Sequence, residues 1–394
     1  PGRGSSASSL VAYCLGITKV DPIEYGLVFE RFLNPGRSAL PDVDLDIEQR
    51  YREKLIQYTR DKYGDDHVAQ IITYGTIKAR SAVRDAARVL GHEPKLGDKL
   101  AKMMPPLVSG FDTPLYACLR EDPQYEQGFR NAQNLRDEYK TNPVAKEVID
   151  VAVGLEGLKK SVGKHAAGVV IGDSPLQDFL PLQKDSNGEI ITQWDKKMVE
   201  SLGFLKMDFL GLKTLDVVSD AIKMIPSMKL SDLDTIPLDD TPTFDLLRAA
   251  DTVGVFQLSE RGMRHLLQKV SPDNIEEVSA VLALYRPGPM AENMHNDFAD
   301  RKHGYQTTVP FHPDATQILE ESYGLAPYQE QILFIAQQFA GYSLPDADLL
   351  RRAMGQKDKA LMEAERARFV QGCVDEGYGD KLGSQIFKMI EGFA

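Results

Sequence analysis

The chain has 394 residues, 42% hydrophobic and 26% charged, with a net charge of −12. That is the composition of an ordinary globular protein with ample core, long enough for two or three domains. It excludes a protein coated in basic charge, although local patches still allow nucleic-acid binding.

No apolar run approaches the length of a membrane span. Cys14, Cys118 and Cys373 are scattered and form no CxxC pair, which argues against a disulfide framework or thiolate zinc site and fits a reducing cytoplasm. The seven histidines show no HxH or HExxH spacing. Pro1-Gly2-Arg3-Gly4 has neither an initiator Met nor a signal layout, the pattern of a piece of a longer protein.

The Gly/Ser-rich segment Gly2 to Ser9 runs into the apolar stretch Leu10–Ile17. This fits a loop feeding a helix whose N-terminal N–H groups can hold phosphate, or simply a flexible serine loop. Next, Asp42, Asp44 and Asp46 alternate with the β-formers Val43, Leu45 and Ile47. Strict alternation predicts a strand with all three carboxylates on one face. Like charges so close are costly unless cations sit between them, and hard divalent ions take such oxygen ligands. A solvated acidic face is the plain alternative. A calcium loop starting at Asp42 is a poor fit, because its sixth position is Ile47 where Gly is needed.

From about Arg50 to Pro106 the pattern is read as helical and basic. Arg80, Arg84 and Arg88 share one helical stripe, Val83, Ala86, Ala87 and Leu90 supply an apolar side, and Gly91 is placed as a C-cap. Such a stripe suits a phosphate backbone, and a solvated face partly neutralised by Asp85 suits it equally. Residues 104–145 read as a polar, proline-punctuated peripheral excursion. Lys159 to Gly168, with Lys164 and His165, reads as a basic turn before the strand Val169-Val170-Ile171. In Phe204–Leu210, Lys206 and Asp208 alternate with Leu205, Met207 and Phe209. A carboxylate in so apolar a run is expensive unless paired or bound to metal. This strand is expected beside the first, with Asp208 completing the carboxylate cluster; pairing with Lys206 or Lys213 is the alternative. After Leu212 the chain is expected to be mainly helical, with Arg351 and Arg352 on a helix that ends near Gly355.

Taken together, these segments resemble family C bacterial replicative DNA polymerases, the alpha subunit of DNA polymerase III. The motifs run in the family's order over nearly the whole chain: Gly2-Arg3-Gly4-Ser5 with Ser9-Leu10-Val11, Phe29 to Pro35, Pro41 to Asp46, Gly163 to Ala166, Lys206 to Gly211, Arg286 to Pro289, Tyr328-Gln329-Glu330-Gln331 and Leu350 to Gly355.

The resemblance implies an α/β plus α fold. A polymerase-beta-like nucleotidyltransferase palm, a mixed sheet with helices, takes residues 1–71 and 167–212. A helical thumb at 72–166 is inserted in it, and large, mainly helical fingers occupy 213–394. It implies templated DNA synthesis from dNTPs with two Mg²⁺ ions, Mn²⁺ substituting, held by Asp42, Asp44 and Asp208, with Asp46 in support. Gly4, Ser5, Arg31, Arg37 and Lys206 would face the triphosphate from the palm, and Arg351 and Arg352 from the fingers. Arg80, Arg84, Arg88 and Lys164 would grip DNA.

Primer–template DNA and dNTP are the implied substrates. A sliding clamp and a proofreading exonuclease are partners reached through regions mostly absent from this chain, in the bacterial cytoplasm and with no membrane. A metal-dependent nuclease and a catalytically silent nucleic-acid-binding module are the rival functions. Two departures from the family stand out: Leu325-Ala326-Pro327 ahead of Tyr328, where proline removes a backbone donor, and Gln356 where the family often has Lys.

Overall fold

The structure is a computed structural model that describes residues 3–35, 43–108, 112–356 and 359–391. Asp42 and Arg37 lie outside the described residues. In chain order a short helix α1 (Leu10–Cys14) precedes β1 (Val43–Glu48), α2 (Arg52–Tyr63), β2 (Val68–Thr76), α3 (Ala79–Val89), α4 (Pro94–Lys102), α5 (Leu115–Leu119), α6 (Glu126–Asn131), α7 (Gln133–Thr141) and α8 (Pro143–Leu155). Then come β3 (Lys159–Ile171), the hairpin β4 (Leu182–Lys184) and β5 (Ile190–Thr192), α9 (Lys196–Ser201), β6 (Leu205–Leu212) and α10 (Lys213–Lys223). The remainder is helical: α11 (Thr241–Arg248), α12 (Arg261–Val270), α13 (Ile275–Leu284), α14 (Pro287–Ala291), α15 (Met294–Lys302), α16 (Thr316–Leu319), α17 (Gln329–Ala340), α18 (Leu344–Gln356), α19 (Lys359–Asp375) and α20 (Gly379–Glu391). Among the described residues no helix is long and apolar enough to cross a membrane.

The chain divides into two compact units. The first comprises Pro1–Val68, Ala167–Pro175 and Glu200–Ala394. Its sheet is mixed: β1 runs parallel to β6, and β6 pairs antiparallel with the end of β3. Leu45, Met207 and Phe209 point to one face and pack with Leu55, Ile56, Val68 and Val169, as a period of two requires. Two further cores are helical. Phe244, Leu267, Leu284 and Phe298 centre one, formed by α11–α15; Leu333, Phe339, Phe369 and Phe387 centre the other, formed by α16–α20. Pro327 is accommodated without loss of the helix behind it. Tyr328 is the N-cap of α17, and its N–H donates to Gln331 Oε1 at 3.1 Å, while Gln331 Nε2 donates to Ser322 Oγ at 2.7 Å.

The second unit comprises Ala69–Ala166 and Leu176–Val199. Here β5 pairs parallel with β2 and antiparallel with β4. The apolar side of α3 is the expected one, with Ala82, Val83, Ala86 and Ala87 buried. The helix ends as the sequence suggests: Gly91, at φ +79°, donates to Arg88 O while His92 N–H donates to Ala87 O, the paired bonds of a Schellman motif.

Three expectations need correction. The stretch from Arg50 to Pro106 is interrupted by β2, whose first five residues are buried; the β-branched pair Ile71-Ile72 carries that strand. Residues 104–145 are not peripheral: Leu115, Cys118, Ala132 and Leu135 are fully buried in the same core as α3 and α8. Their apolar residues are few but regularly placed, and buried Arg136 donates to Cys118 O. Lys159–Gly168 is no turn; it forms the first ten residues of β3. The Gly/Ser-rich start does feed a helix, but α1 has only five residues and leaves Leu10 and Val11 exposed, and Ser9 Oγ already accepts from Ala12 N at 3.2 Å.

Candidate active site

Parallel pairing of β1 and β6 sets Asp44 opposite Asp208, Leu45 opposite Phe209 and Asp46 opposite Leu210. The apolar members of this register fill the core, so the carboxylates are turned to the other face. Neighbouring strands lie about 4.8 Å apart, close enough for two carboxylates to share one cation. On the other flank of Asp208 the partner in β3 is Gly168, a position with no side chain to fill the space. Two carboxylates thus come together from segments more than 160 residues apart in sequence, as expected from the alternation in each strand.

Burial makes this pair unusual. Asp208 and Lys206 side chains are only 10% and 4% exposed, and Asp208 Oδ2 accepts from Lys206 Nζ at 2.6 Å. Lys206 Nζ also lies 3.9 Å from Glu200 Oε1. The second carboxylate oxygen, Asp208 Oδ1, is buried without a hydrogen-bond partner among the described residues. A buried, unsatisfied carboxylate oxygen is costly. The Asp208–Lys206 pairing and the Asp44–Asp208 juxtaposition therefore hold together: one oxygen is neutralised and the other is left open.

The glycine-rich start closes over the same strand. Gly4 adopts φ +79°, and a Cβ there would lie 2.6 Å from Asp44 Oδ2. Only glycine fits that backbone conformation and that approach. Its neighbour Arg3 forms an ion pair with Asp46 at 3.2 Å. Ser5, half-buried, opens the 3₁₀ turn that follows. Beyond the strands, Arg50 ties the end of β1 to α10 through Glu48, Asp216 and Asp220. Arg52 Nε donates to Phe209 O at 3.0 Å, fixing α2 against β6.

The predicted basic residues are individually engaged. Arg31 pairs with Glu330 of α17. Arg351 donates to the fully buried Asp348 at 2.9 Å and to Gln329 Oε1 at 3.3 Å. Adjacent residues of the Tyr-Gln-Glu-Gln motif therefore hold two arginines from separate parts of the first unit. Gln329, Glu330 and Asp348 were not singled out from the sequence, although the motif and the Asp at i−3 from Arg351 were visible there. Arg352 is half-buried.

In the second unit, Arg80 donates to Pro105 O at 3.0 Å, Arg84 pairs with Asp98 at 2.7 Å and Arg88 with Asp85 at 3.2 Å. Lys160, with Arg88 in support, holds the Asp85 carboxyl below its usual range. Lys164 binds Glu189 and, at 3.1 Å, Asp185, and the Glu189 hydrogen bond raises its ammonium pKa. The stripe on α3 is real, and each arginine in it already has a local acceptor.

The open carboxylate oxygen of Asp208, set beside Asp44, suits a divalent cation. Among the described residues, with Asp42 outside them, no third acidic, His or Cys side chain gathers there. Paired carboxylates on adjacent strands are one arrangement that metal-dependent phosphate chemistry uses. Residues 1–211 match the family described as the bacterial DNA polymerase III alpha NTPase domain, and residues 214–377 match the DNA polymerase III alpha subunit finger domain.

The chain belongs to the bacterial DNA polymerase III alpha family. It is 46% identical over 402 residues to the DNA polymerase III subunit alpha of Saccharopolyspora erythraea, covering all of this chain and 33% of that protein. Against the subunits of Mycobacterium tuberculosis and Bacillus subtilis it is 45% identical over 403 and 397 residues, again covering all of this chain and 34% of each. The chain thus spans about a third of the length of the curated relatives it matches.

Proposed function

We propose that the chain is the palm–thumb–fingers core of a bacterial replicative DNA polymerase, adding dNMP from dNTP to a primer 3′-hydroxyl. The observation that carries this reading is the in-register pair Asp44 and Asp208 with Asp208 Oδ1 buried and open. Asp42 would complete the set. Bound there, two Mg²⁺ ions, or Mn²⁺ in their place, would acidify the primer hydroxyl and neutralise the triphosphate.

The protein's own groups do the rest. Gly4 brings its backbone against Asp44 and so leaves room for a triphosphate beside Ser5. Lys206, Arg31, Arg37, Arg351 and Arg352 supply positive charge around that triphosphate, stabilising charge that grows in the transition state. Glu330, Gln329 and Asp348 aim Arg31 and Arg351 and hold them until phosphate competes for them. Arg80, Arg84, Arg88 and Lys164 contact DNA phosphates by exchanging their present acceptors, the Pro105 carbonyl for Arg80 and carboxylates for the other three, for phosphate oxygens.

A palm at residues 1–71 and 167–212, a thumb at 72–166 and fingers at 213–394 accord with these roles. Support comes from Ala69–Ala166, a long insertion that packs in a compact unit apart from Pro1–Val68, although Leu176–Val199 of the second palm segment packs with it. Contacts with a sliding clamp and a proofreading exonuclease would belong to other parts of the full-length subunit, working in the bacterial cytoplasm.

The test is primer extension. An end-labelled primer on a template is incubated with Mg²⁺ and dNTPs, using the chain, the full-length subunit and Asp44→Asn in each. Longer products that disappear in Asp44→Asn, with duplex binding retained, are expected. Shorter products would point to a nuclease, and a gel shift with unchanged primer in the full-length protein would leave only a binding module.

A further inference from the structure

The helix α2 starts four residues after β1 ends, and one of its faces has no partner among the described residues. Its inner face is anchored: Ile56 and Thr59 are buried, and Leu55 packs with Met207 and Phe209. On the outer face Tyr51, Lys54, Tyr58 and Lys62 fall at i, i+3, i+7 and i+11, one stripe about 16 Å long. Tyr51 is 41% and Tyr58 58% exposed. The lysines are exposed too, and their ammonium groups hang over the rings: Lys54 is 5.1 Å from the Tyr51 centroid and Lys62 5.9 Å from that of Tyr58.

The acidic residues of the helix are occupied elsewhere, Glu53 with Arg52 and Asp61 with Gln57. Neither lysine has a carboxylate partner among the described residues. In a chain of net charge −12, this stripe sets two lysines without a carboxylate partner among the described residues against exposed aromatic rings, Lys54 between Tyr51 and Tyr58 and Lys62 beyond Tyr58, where it also lies 5.4 Å from the Tyr63 centroid.

We propose that this face of α2 binds single-stranded nucleic acid. Tyr51 and Tyr58 offer flat surfaces on which unpaired bases stack, and Lys54 between them and Lys62 beyond them meet the adjoining phosphates. Alternating aromatic and cationic side chains are what sequence-tolerant binding of a single strand requires, because every base has a π-face and every linkage a negative charge. A duplex hides its base faces and would gain only from the lysines. The proposal deepens the polymerase reading by giving the unpaired template strand a track that begins beside the carboxylate strand. Its chemistry stands without that reading.

The test is equilibrium binding by fluorescence anisotropy, using the full chain, a labelled thymidine oligonucleotide and a blunt duplex of the same length. Tyr58→Ala is expected to weaken oligonucleotide binding about tenfold, with Tyr58→Phe within about twofold of the parent and duplex binding unchanged. Lys54→Gln with Lys62→Gln should flatten the dependence of log affinity on log salt by about 1.4, or about 0.7 per phosphate contact. Unchanged oligonucleotide affinity in all variants, or an equal loss for oligonucleotide and duplex, overturns the proposal. If Asp44→Asn abolishes nucleotide addition while Tyr58→Ala leaves oligonucleotide binding intact, the stripe alone fails. If Tyr58→Ala loses the oligonucleotide while Asp44→Asn still extends primers, the stripe stands and the carboxylate reading fails.

Discussion

In the unit formed by Ala69–Ala166 and Leu176–Val199, Arg84 meets Asp98, Lys160 meets Asp85 and Lys99 meets Glu138, each pair near the surface. In the other unit, Asp208 lies under a buried lysine with one oxygen unbonded among the described residues, and Asp348 is fully buried with its Oδ2 likewise unbonded among them. The first arrangement costs nothing to keep, since exposed pairs contribute about 0–1 kcal/mol and give way easily to another anion. The second is held against a desolvation penalty by the surrounding fold. Charge that a folded chain could satisfy locally, and does, is compatible with a purely structural role. Charge kept unsatisfied in the interior beside another carboxylate needs an explanation, and a bound cation is the one that the proposed function supplies.

That contrast is broken or sharpened most strongly at Asp208. Asp208→Asn should lower nucleotide addition on the order of a thousandfold. It also removes the nearer of the two carboxylates around buried Lys206, leaving Glu200 at 3.9 Å, which costs up to about 3 kcal/mol. Single-turnover incorporation and urea denaturation measure the two effects separately. Unaltered incorporation would remove Asp208 from the chemistry and reduce the pair to a structural ion bridge.

The next largest effect is expected at Gly4. In Gly4→Ala the new Cβ meets Asp44 Oδ2 at 2.6 Å, and the backbone must hold φ +79° with a side chain. Incorporation should fall about a hundredfold, while global stability changes by only about 1 kcal/mol. A variant that melts early and also fails to incorporate would mean that Gly4 acts through folding and not by shaping the site.

Much of the carboxylate centre was legible in the sequence because it is built from strands. Period-two alternation at Val43–Ile47 and Leu205–Phe209 fixes which side chains share a face, and two such faces bearing buried acid have one economical arrangement, side by side. The signals that failed were of another kind. Val68–Thr76 is a strand amid helices, and the continuous burial of its first five residues gives no alternation to read. The core of residues 104–145 rests on single apolar residues such as Leu135 spaced among charges. The Arg31–Glu330 pairing joins positions 299 apart, a contact that only the packing of α17 determines. Resemblance supplied the order of the motifs; it did not reveal that Gln329 and Glu330 each hold an arginine.

On the surface of the second unit, Arg84→Ala should cost less than about 1 kcal/mol in urea denaturation and reduce duplex affinity mainly at low salt. A loss of several kcal/mol would show that the Arg84–Asp98 pair is more than a surface bridge and would erase the contrast with Asp208.

The smallest effect separates burial from partnership within that same unit. Half-buried Glu156 is a carboxylate pushed above its usual range, chiefly by desolvation and against the hydrogen bond its Oε2 accepts from Leu115 N at 2.8 Å. A carboxyl with a raised folded pKa binds its proton more tightly folded than unfolded. Stability therefore falls as pH rises from the usual carboxylate value through the raised one, and the penalty stays in full above it. Glu156→Gln keeps an oxygen for Leu115 and removes the charge. It should be more stable than the parent by a few tenths of a kcal/mol at neutral pH, roughly the scale of a surface substitution, and the advantage should vanish as pH drops below the usual carboxylate range. Denaturation curves at neutral and acidic pH decide it. An advantage that persists in acid would mean that the amide packs better than the acid. A destabilised variant at neutral pH would mean that the ionised carboxylate earns more from the α5 amide than burial takes away, which would place Glu156 with the satisfied charges of its unit and leave Asp208 and Asp348 as the exceptions.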